Sequence, residues 1–241
     1  MTTYVEREYT NSELSERDRA VVELVGRFRQ LTTKQVRALN FANLASPTPA
    51  DRTLKRLVER KYLARLERLL GGHRGGSAQY VYQLGRAGWK LLYRPGAYWA
   101  PRAVNLHALA VADCFVALKE AEQRAELEVI SFITEPDCHQ IVSQVRLTPD
   151  AYVELTAHGQ KLTSWLEVDR GTEHLGVIQE KCERYWQAFR SGQWDGVFPY
   201  VLFIVPDERR KRAVHQVFQA GPAEAAELFS VCSVSEFPKF N

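Results

Sequence analysis

Long apolar runs are missing from this 241-residue chain: no stretch approaches the ~18 residues that a membrane-spanning helix requires. Its opening residues, MTTYVEREYTNSELSERDR, are charged and lack the apolar core of a secretory leader. Cysteine is scarce and scattered. Cys114, Cys138, Cys182 and Cys232 form no Cys-x-x-Cys pair, so their spacing suits free thiols in a reducing compartment better than a disulfide framework or a zinc site. These absences set the expectation of a cytoplasmic protein without a membrane partner. Internal repeats and low-complexity tracts are also missing. The one glycine-rich stretch, residues 71–77, lacks the Gly-Lys-Ser/Thr ending of a nucleotide loop.

What is present is an ordinary globular composition, 45% hydrophobic and 25% charged, long enough for two modest domains. The net charge of +3 hides a division. Residues 1–94 hold 18 Lys and Arg against 9 Asp and Glu, whereas the remainder holds 14 against 20. A basic front and an acidic rear suggest that only the front approaches phosphates.

Apolar spacing divides the front into short helices. Ser15 caps a helix over 16–28, with Ala20, Val21, Leu24, Val25 and Phe28 on one face. Leu31-Thr32-Thr33 starts a second, short helix, with Thr32 or Thr33 as its cap and Val36 and Leu39 facing inward. A third is expected over 50–61, with Leu54, Leu57 and Val58 inside and Arg52, Thr53, Lys55, Arg56 and Lys61 mostly outside. Strands at 62–69 and 79–84 flank the glycine-rich tip, and another helix follows at 85–92. Three helices, the third of them basic, followed by a β-hairpin predict a winged helix-turn-helix over 1–94 that binds double-stranded DNA. Candidate DNA contacts are Thr33, Lys34, Arg52, Thr53, Lys55 and Arg56, with Arg74 on the hairpin tip. The same scaffold without DNA binding, serving protein contact alone, is the competing expectation.

Residues 95–102 break the pattern as a linker, and 103–241 read as an α/β sandwich with a mixed sheet, making the whole chain α+β. The expected elements are a helix at 104–125, strands at 127–134, 151–156 and 162–168, a helix at 173–190, a strand at 200–205, a helix at 208–218 and a strand at 228–234. Ile178, Cys182, Tyr185 and Phe189 form the apolar stripe of the helix at 173–190. His107 reads as a surface or helix-packing residue, since no second ligand lies one turn away.

A two-residue turn at His158-Gly159 would pair residues whose numbers sum to 317. Asp150 then faces Glu167, with β-carbons about 4.5–5.5 Å apart, and Asp169 points the same way. Val153, Leu155, Leu166 and Val168 take the other face. Facing carboxylates call for a proton or a cation between them, and magnesium or manganese suits an all-oxygen site of Asp150, Glu167 and Asp169. Two alternatives stay open: a solvated acidic face, or a turn one residue longer that separates the two acids.

The whole chain, over roughly 12–235, resembles the bacterial replication-relaxation family of plasmids and other mobile elements. The resemblance is carried by Leu31 to Val36, Arg52 to Leu57, Tyr80 to Leu84 and Pro149 to Tyr152. Its most specific part is Glu167-Val168-Asp169-Arg170-Gly171-Thr172-Glu173, followed by Lys181 and Tyr185. It implies a role in replication, DNA relaxation or transfer. More remotely, the rear half is similar to the PD-(D/E)XK nuclease fold, which implies that Asp150 and Glu167 hold a divalent ion. The usual lysine two residues after the second acid is Asp169 here, and Lys181 is the substitute on the following helix; Glu135 is a further candidate acid. Three readings follow: a DNA-binding replication or transfer factor working with partner proteins or as a homodimer, a metal-dependent endonuclease with Asp150, Glu167 and Lys181 catalytic, and an interaction module.

Overall fold

The computed structural model describes residues 14–69, 79–99 and 103–239, and the chain divides into two units, one ending at Val104 and one beginning at Asn105. In the first, helix α1 (Glu16–Phe28) starts where the Ser15 hydroxyl accepts the Asp18 amide. A three-residue strand β1 (Gln30–Thr32) follows, and α2 (Thr33–Asn40) opens on a reciprocal cap between Thr32 and Gln35. Helix α3 (Thr48–Glu59) precedes the hairpin of β2 (Leu63–Leu69) and β3 (Gln79–Leu84), and α4 (Arg86–Leu91) closes the unit. The three strands form one antiparallel sheet in the order β1-β3-β2.

Two expectations change here. A three-residue strand has no periodicity to read, so β1 was absorbed into the start of α2. Helix α3 begins two residues earlier than the apolar pattern, because Pro49 is tolerated in a first turn where amides have no helical acceptor. Its buried face is Ala50, Thr53, Leu54 and Leu57, so Thr53 lies inside rather than outside and Val58 is only half-buried.

The second unit begins with α5 (Leu106–Gln123), capped by Asn105, and strand β4 (Glu128–Thr134). A small hairpin, β5 (Gln140–Val142) and β6 (Val145–Leu147), was not expected; strands of three residues again left no pattern. Then come β7 (Ala151–Ala157), β8 (Gln160–Val168), α6 (Leu175–Arg190), β9 (Tyr200–Val205), α7 (Glu208–Ala220), a 3-10 turn at Ala223–Leu228 and β10 (Phe229–Ser233). The sheet order is β10-β9-β8-β7-β4, antiparallel from β4 to β8 and parallel from β8 to β10, which is the mixed sheet expected.

Both faces of this sheet are covered. On one, Phe132 of β4 meets Phe115 of α5 at 4.9 Å between ring centroids. On the other, Trp165, Val201, Phe203 and Val205 pack with Ile178 and Tyr185 of α6 and Val214 and Phe218 of α7. Only Ile178 and Tyr185 of the predicted α6 stripe are buried; Phe189 is 45% exposed and Cys182 intermediate, with Ala188 buried instead.

Two helical glycines differ in how closely backbone approaches them. A β-carbon on Gly88 of α4 would lie 2.2 Å from the Tyr62 carbonyl oxygen, whereas one on Gly176 of α6 meets nothing within 4 Å. Gly88→Ala should therefore destabilise the chain by about 1–3 kcal/mol through overpacking, and Gly176→Ala should stabilise it by about 0.4–1 kcal/mol by reducing unfolded-state entropy. Urea unfolding of the two variants measures both signs.

Candidate functional site

The turn at His158 and Gly159 has positive φ at both positions, 51° and 74°, as a two-residue hairpin turn demands. Ala151 consequently pairs with Leu166 and Ala157 with Gln160, the register summing to 317, so the longer turn is excluded. Asp150, just ahead of β7, continues the ladder by donating its amide to the Leu166 carbonyl at 3.0 Å. This places its carboxyl beside the end of β8, where Glu167 sits.

Asp150, Glu167 and Asp169 are 8%, 2% and 6% exposed, which rules out a solvated acidic face. Buried carboxylates are costly unless paired, and each of the three has found a basic partner. Asp150 accepts the Val168 amide at 2.7 Å through one oxygen, and its other oxygen lies 2.9 Å from His107 Nε2. Glu167 Oε1 accepts the Tyr185 hydroxyl at 2.7 Å, and its Oε2 lies 3.0 Å from Lys181 Nζ. Asp169 accepts the Gly171 amide at 2.7 Å and faces Arg210 Nε at 2.5 Å. The Arg210 guanidinium also donates to the Glu173 carbonyl at 2.6 Å, while the Glu173 carboxylate holds Lys181 at 3.1 Å.

The electrostatics follow from this burial. Desolvation pushes the Glu167 carboxyl up to about 7, with the Lys181 charge opposing and the Asp150 charge adding. Burial alone would lower Lys181, but its pairing with Glu167 and Glu173 outweighs this and leaves the ammonium more basic than usual. The Asp150 hydrogen bond raises His107, against burial. Tyr185 is pushed well above its ordinary value, first by burial and then by the Glu167 charge.

The three-carboxylate metal set is therefore corrected. Among the described residues no group of three or more His, Cys, Asp or Glu side chains is gathered to hold a metal ion, and Asp169 is committed to Arg210 and Gly171. Asp150 and Glu167 remain as a pair. Glu167 Oε2 is fully buried and, although close to Lys181, accepts no well-directed hydrogen bond. A magnesium-like ion is commonly held by one or two carboxylates with substrate phosphate and water, so this pair, with its unsatisfied oxygen, fits such an ion.

Of the other predicted residues, Lys181 does reach the site from α6. His107 belongs to it too, although it read as a packing residue; Arg210, Glu173 and the hydroxyl role of Tyr185 went unrecognised. Only the stretch from Glu167 to Glu173 with Lys181 and Tyr185 carried a signal for any of them. In the first unit, Thr33 donates to the Tyr80 carbonyl at 3.4 Å and the Lys34 amide to Gln79 at 3.2 Å, with the Lys34 side chain exposed. Arg52 and Lys55 are exposed on α3. Thr53 is buried, and Arg56 forks onto buried Asp18 at 2.7 and 3.1 Å, tying α3 to α1. Arg74 and the glycine-rich tip lie outside the described residues.

The class defined so far is a two-unit α+β protein: a helical unit with a three-stranded sheet, then a mixed five-stranded sheet with a charged centre at one end. The replication-relaxation family model matches residues 22–201, and the chain belongs to that family. No curated protein matches it. Two solved structures of the restriction endonuclease FokI are similar at low level. The one bound to DNA shares 9% identity with a TM-score of 0.30, over 91% of this chain and 43% of that one. The other shares 12% identity with a TM-score of 0.31, over 91% of this chain and 42% of that one. The chain thus spans less than half the length of these neighbours. No helix among the described residues is long and apolar enough to cross a membrane.

Because the Glu167 carboxyl sits above its ordinary 4.5 in the folded chain, its contribution to stability is complete below pH 4.5 and is lost as pH rises through about 7. Lys181→Met removes the charge that limits this loss. The variant should be about 3 kcal/mol less stable near pH 8, as expected for breaking a buried pair, with the gap narrowing toward pH 5. Urea unfolding at both pH values measures it; a gap that ignores pH means that Glu167 does not carry the effect.

Proposed function

We propose that this protein binds double-stranded DNA through its first unit and acts in replication, relaxation or transfer of a plasmid or other mobile element, or in regulating those steps. The observation that carries the reading is α3. Three helices followed by a β-hairpin form the arrangement of a winged helix-turn-helix, whose third helix enters the major groove. Arg52 and Lys55 project from that helix. Arg52 has no ion-pair partner among the described residues, and Lys55 meets only Glu59 at 3.9 Å, an exposed pair worth a few tenths of a kcal/mol at most. Lys34 at the start of α2 suits a neighbouring phosphate, and Arg74, outside the described residues, is the contact expected from the sequence for the minor groove. Arg56 serves α3 by anchoring it to Asp18. Replication or transfer proteins, and a second copy reading a repeated half-site, are the partners this reading implies.

Fluorescence anisotropy with labelled duplex tests it. Arg52→Ala should weaken binding by about 1–3 kcal/mol if it contacts a base. Lys55→Ala should lower the slope of log affinity against log salt by about 0.9 if it meets a phosphate. Duplex affinity untouched by both changes would refute α3 as the reader.

A second reading, a metal-dependent endonuclease, is favoured by Lys181 reaching Glu167 at 3.0 Å. Asp150 and Glu167 would hold magnesium or manganese, which would supply charge neutralisation and an activated water at a phosphodiester. Lys181 would offer its ammonium to the charge developing on the phosphate. Asp169, turned to Arg210, would hold the loop that carries Glu173. Nicking of supercoiled plasmid in Mg²⁺ or Mn²⁺, lost with EDTA, Asp150→Ala and Glu167→Ala alike, is the expected result; nicking that survives Glu167→Ala would come from elsewhere.

A further inference from the structure

The end of α4 and the segment after it form a basic surface separate from α3. Arg86, Trp89, Lys90, Tyr93, Arg94 and Tyr98 line a cleft of about 540 Å³, within the ~300–1,000 Å³ typical of ligand sites. Three cations line it and no carboxylate does. The cleft beside α3 is different, mixing Lys55 and Arg65 with Asp51 and Glu59.

Internal bonds fix the walls. The Trp89 indole donates to the Gly96 carbonyl at 3.3 Å and lies edge-on to Tyr98 at 6.2 Å between centroids. The Tyr98 hydroxyl donates to the Leu84 carbonyl, and the Arg94 guanidinium to that of Gly26 at 2.8 Å. Arg86 and Lys90, one turn apart on α4, are exposed and have no ion-pair partner among the described residues. The helix ends with the Arg94 amide on the Trp89 carbonyl and the Tyr93 amide on that of Lys90, a closure that puts Tyr93 at φ 49°. Glycine is the usual residue there, since a β-carbon costs roughly 1–2 kcal/mol in this conformation. Yet the position holds a tyrosine that is 87% exposed. Two unpaired cations beside an outward-held ring lack an anionic, aromatic partner.

We infer that this cleft binds a segment of single-stranded DNA, with phosphates on Arg86 and Lys90 and a base stacked on Tyr93. Cations that track a backbone beside exposed ring faces are the means by which single strands are held without sequence preference. A duplex keeps its base faces stacked and gives Tyr93 nothing to stack on. The inference rests on the nucleic-acid reading of the first unit, but not on α3.

The test uses the full chain, a labelled oligothymidylate of about twelve nucleotides and a duplex, read by fluorescence anisotropy. Tyr93→Ala combined with Lys90→Ala should weaken oligothymidylate binding about tenfold or more. It should also lower the salt slope by about 0.7 for the lost phosphate contact, while leaving duplex affinity within about twofold. Tyr93→Phe, which keeps the ring, should bind as the unaltered chain does. No binding of oligothymidylate, or binding unchanged in the double variant, overturns the inference while leaving the α3 reading intact. An equal loss on duplex overturns it as well, since the surface would then be a general phosphate patch. Oligothymidylate binding without duplex binding would sink the α3 reading and leave this one standing.

Discussion

The second unit depends on how it buries negative charge at the open end of the β7–β8 hairpin, away from its turn. Glu167 and Asp150 sit largely buried at the end of a sheet covered on both faces, so water screens them little. Coulomb repulsion between neighbouring carboxylates grows as the local dielectric falls. What makes the arrangement tolerable is that every acid is met from a different element: His107 from α5, Lys181 and Tyr185 from α6, Arg210 from α7. The charged centre thereby ties three helices to one strand end. A buried network of this kind is a weak source of net stability, because desolvation cancels most of the attraction. Removing one member, however, leaves its partner uncompensated.

The hairpin turn is what permits the arrangement. Side chains alternate between faces, so a slip of one residue would move Glu167 to the α5 side and bring Val168 toward α6. The positive φ at His158 and Gly159 holds the register that prevents this. Gly171, at φ 78° and packed against Pro206, then turns the chain so that Asp169 meets Arg210 and Glu173 meets Lys181. The stretch from Glu167 to Glu173 therefore acts as one structural device, in which Asp169 and Glu173 are tied to Arg210 and Lys181.

Periodicity made the long elements legible: α1 has the bounds that its apolar spacing indicates, and the β7–β8 register came from turn chemistry. The three-residue strands β1, β5 and β6 have too few positions to show alternation. Burial of Thr53 was hidden because a polar residue on a helix reads as outward until the packing of Asp18 and Arg56 is known. Asp150 and Glu167 were found because they are close in a hairpin. His107 and Arg210 are 43 and 41 residues from their partners, and no local pattern can report a contact across that distance. Lys181 lies between these cases, since helix geometry alone could say only that it was within plausible reach.

The charge balance of this centre bears on what it attracts. Asp150, Glu167, Asp169 and Glu173 carry four negative charges when ionised; Lys181 and Arg210 return two, and His107 a third when protonated. The centre is therefore short of positive charge by one or two units. Glu167 is raised first by burial and further by the Asp150 charge, and one of its oxygens has no directed donor, so its anion is under-compensated. Such a site relaxes either by taking up a proton or by taking up a cation. On the proposed metal-binding reading these would be competing occupants of one deficit, so proton uptake at Glu167 would oppose divalent-ion binding and the affinity would rise with pH.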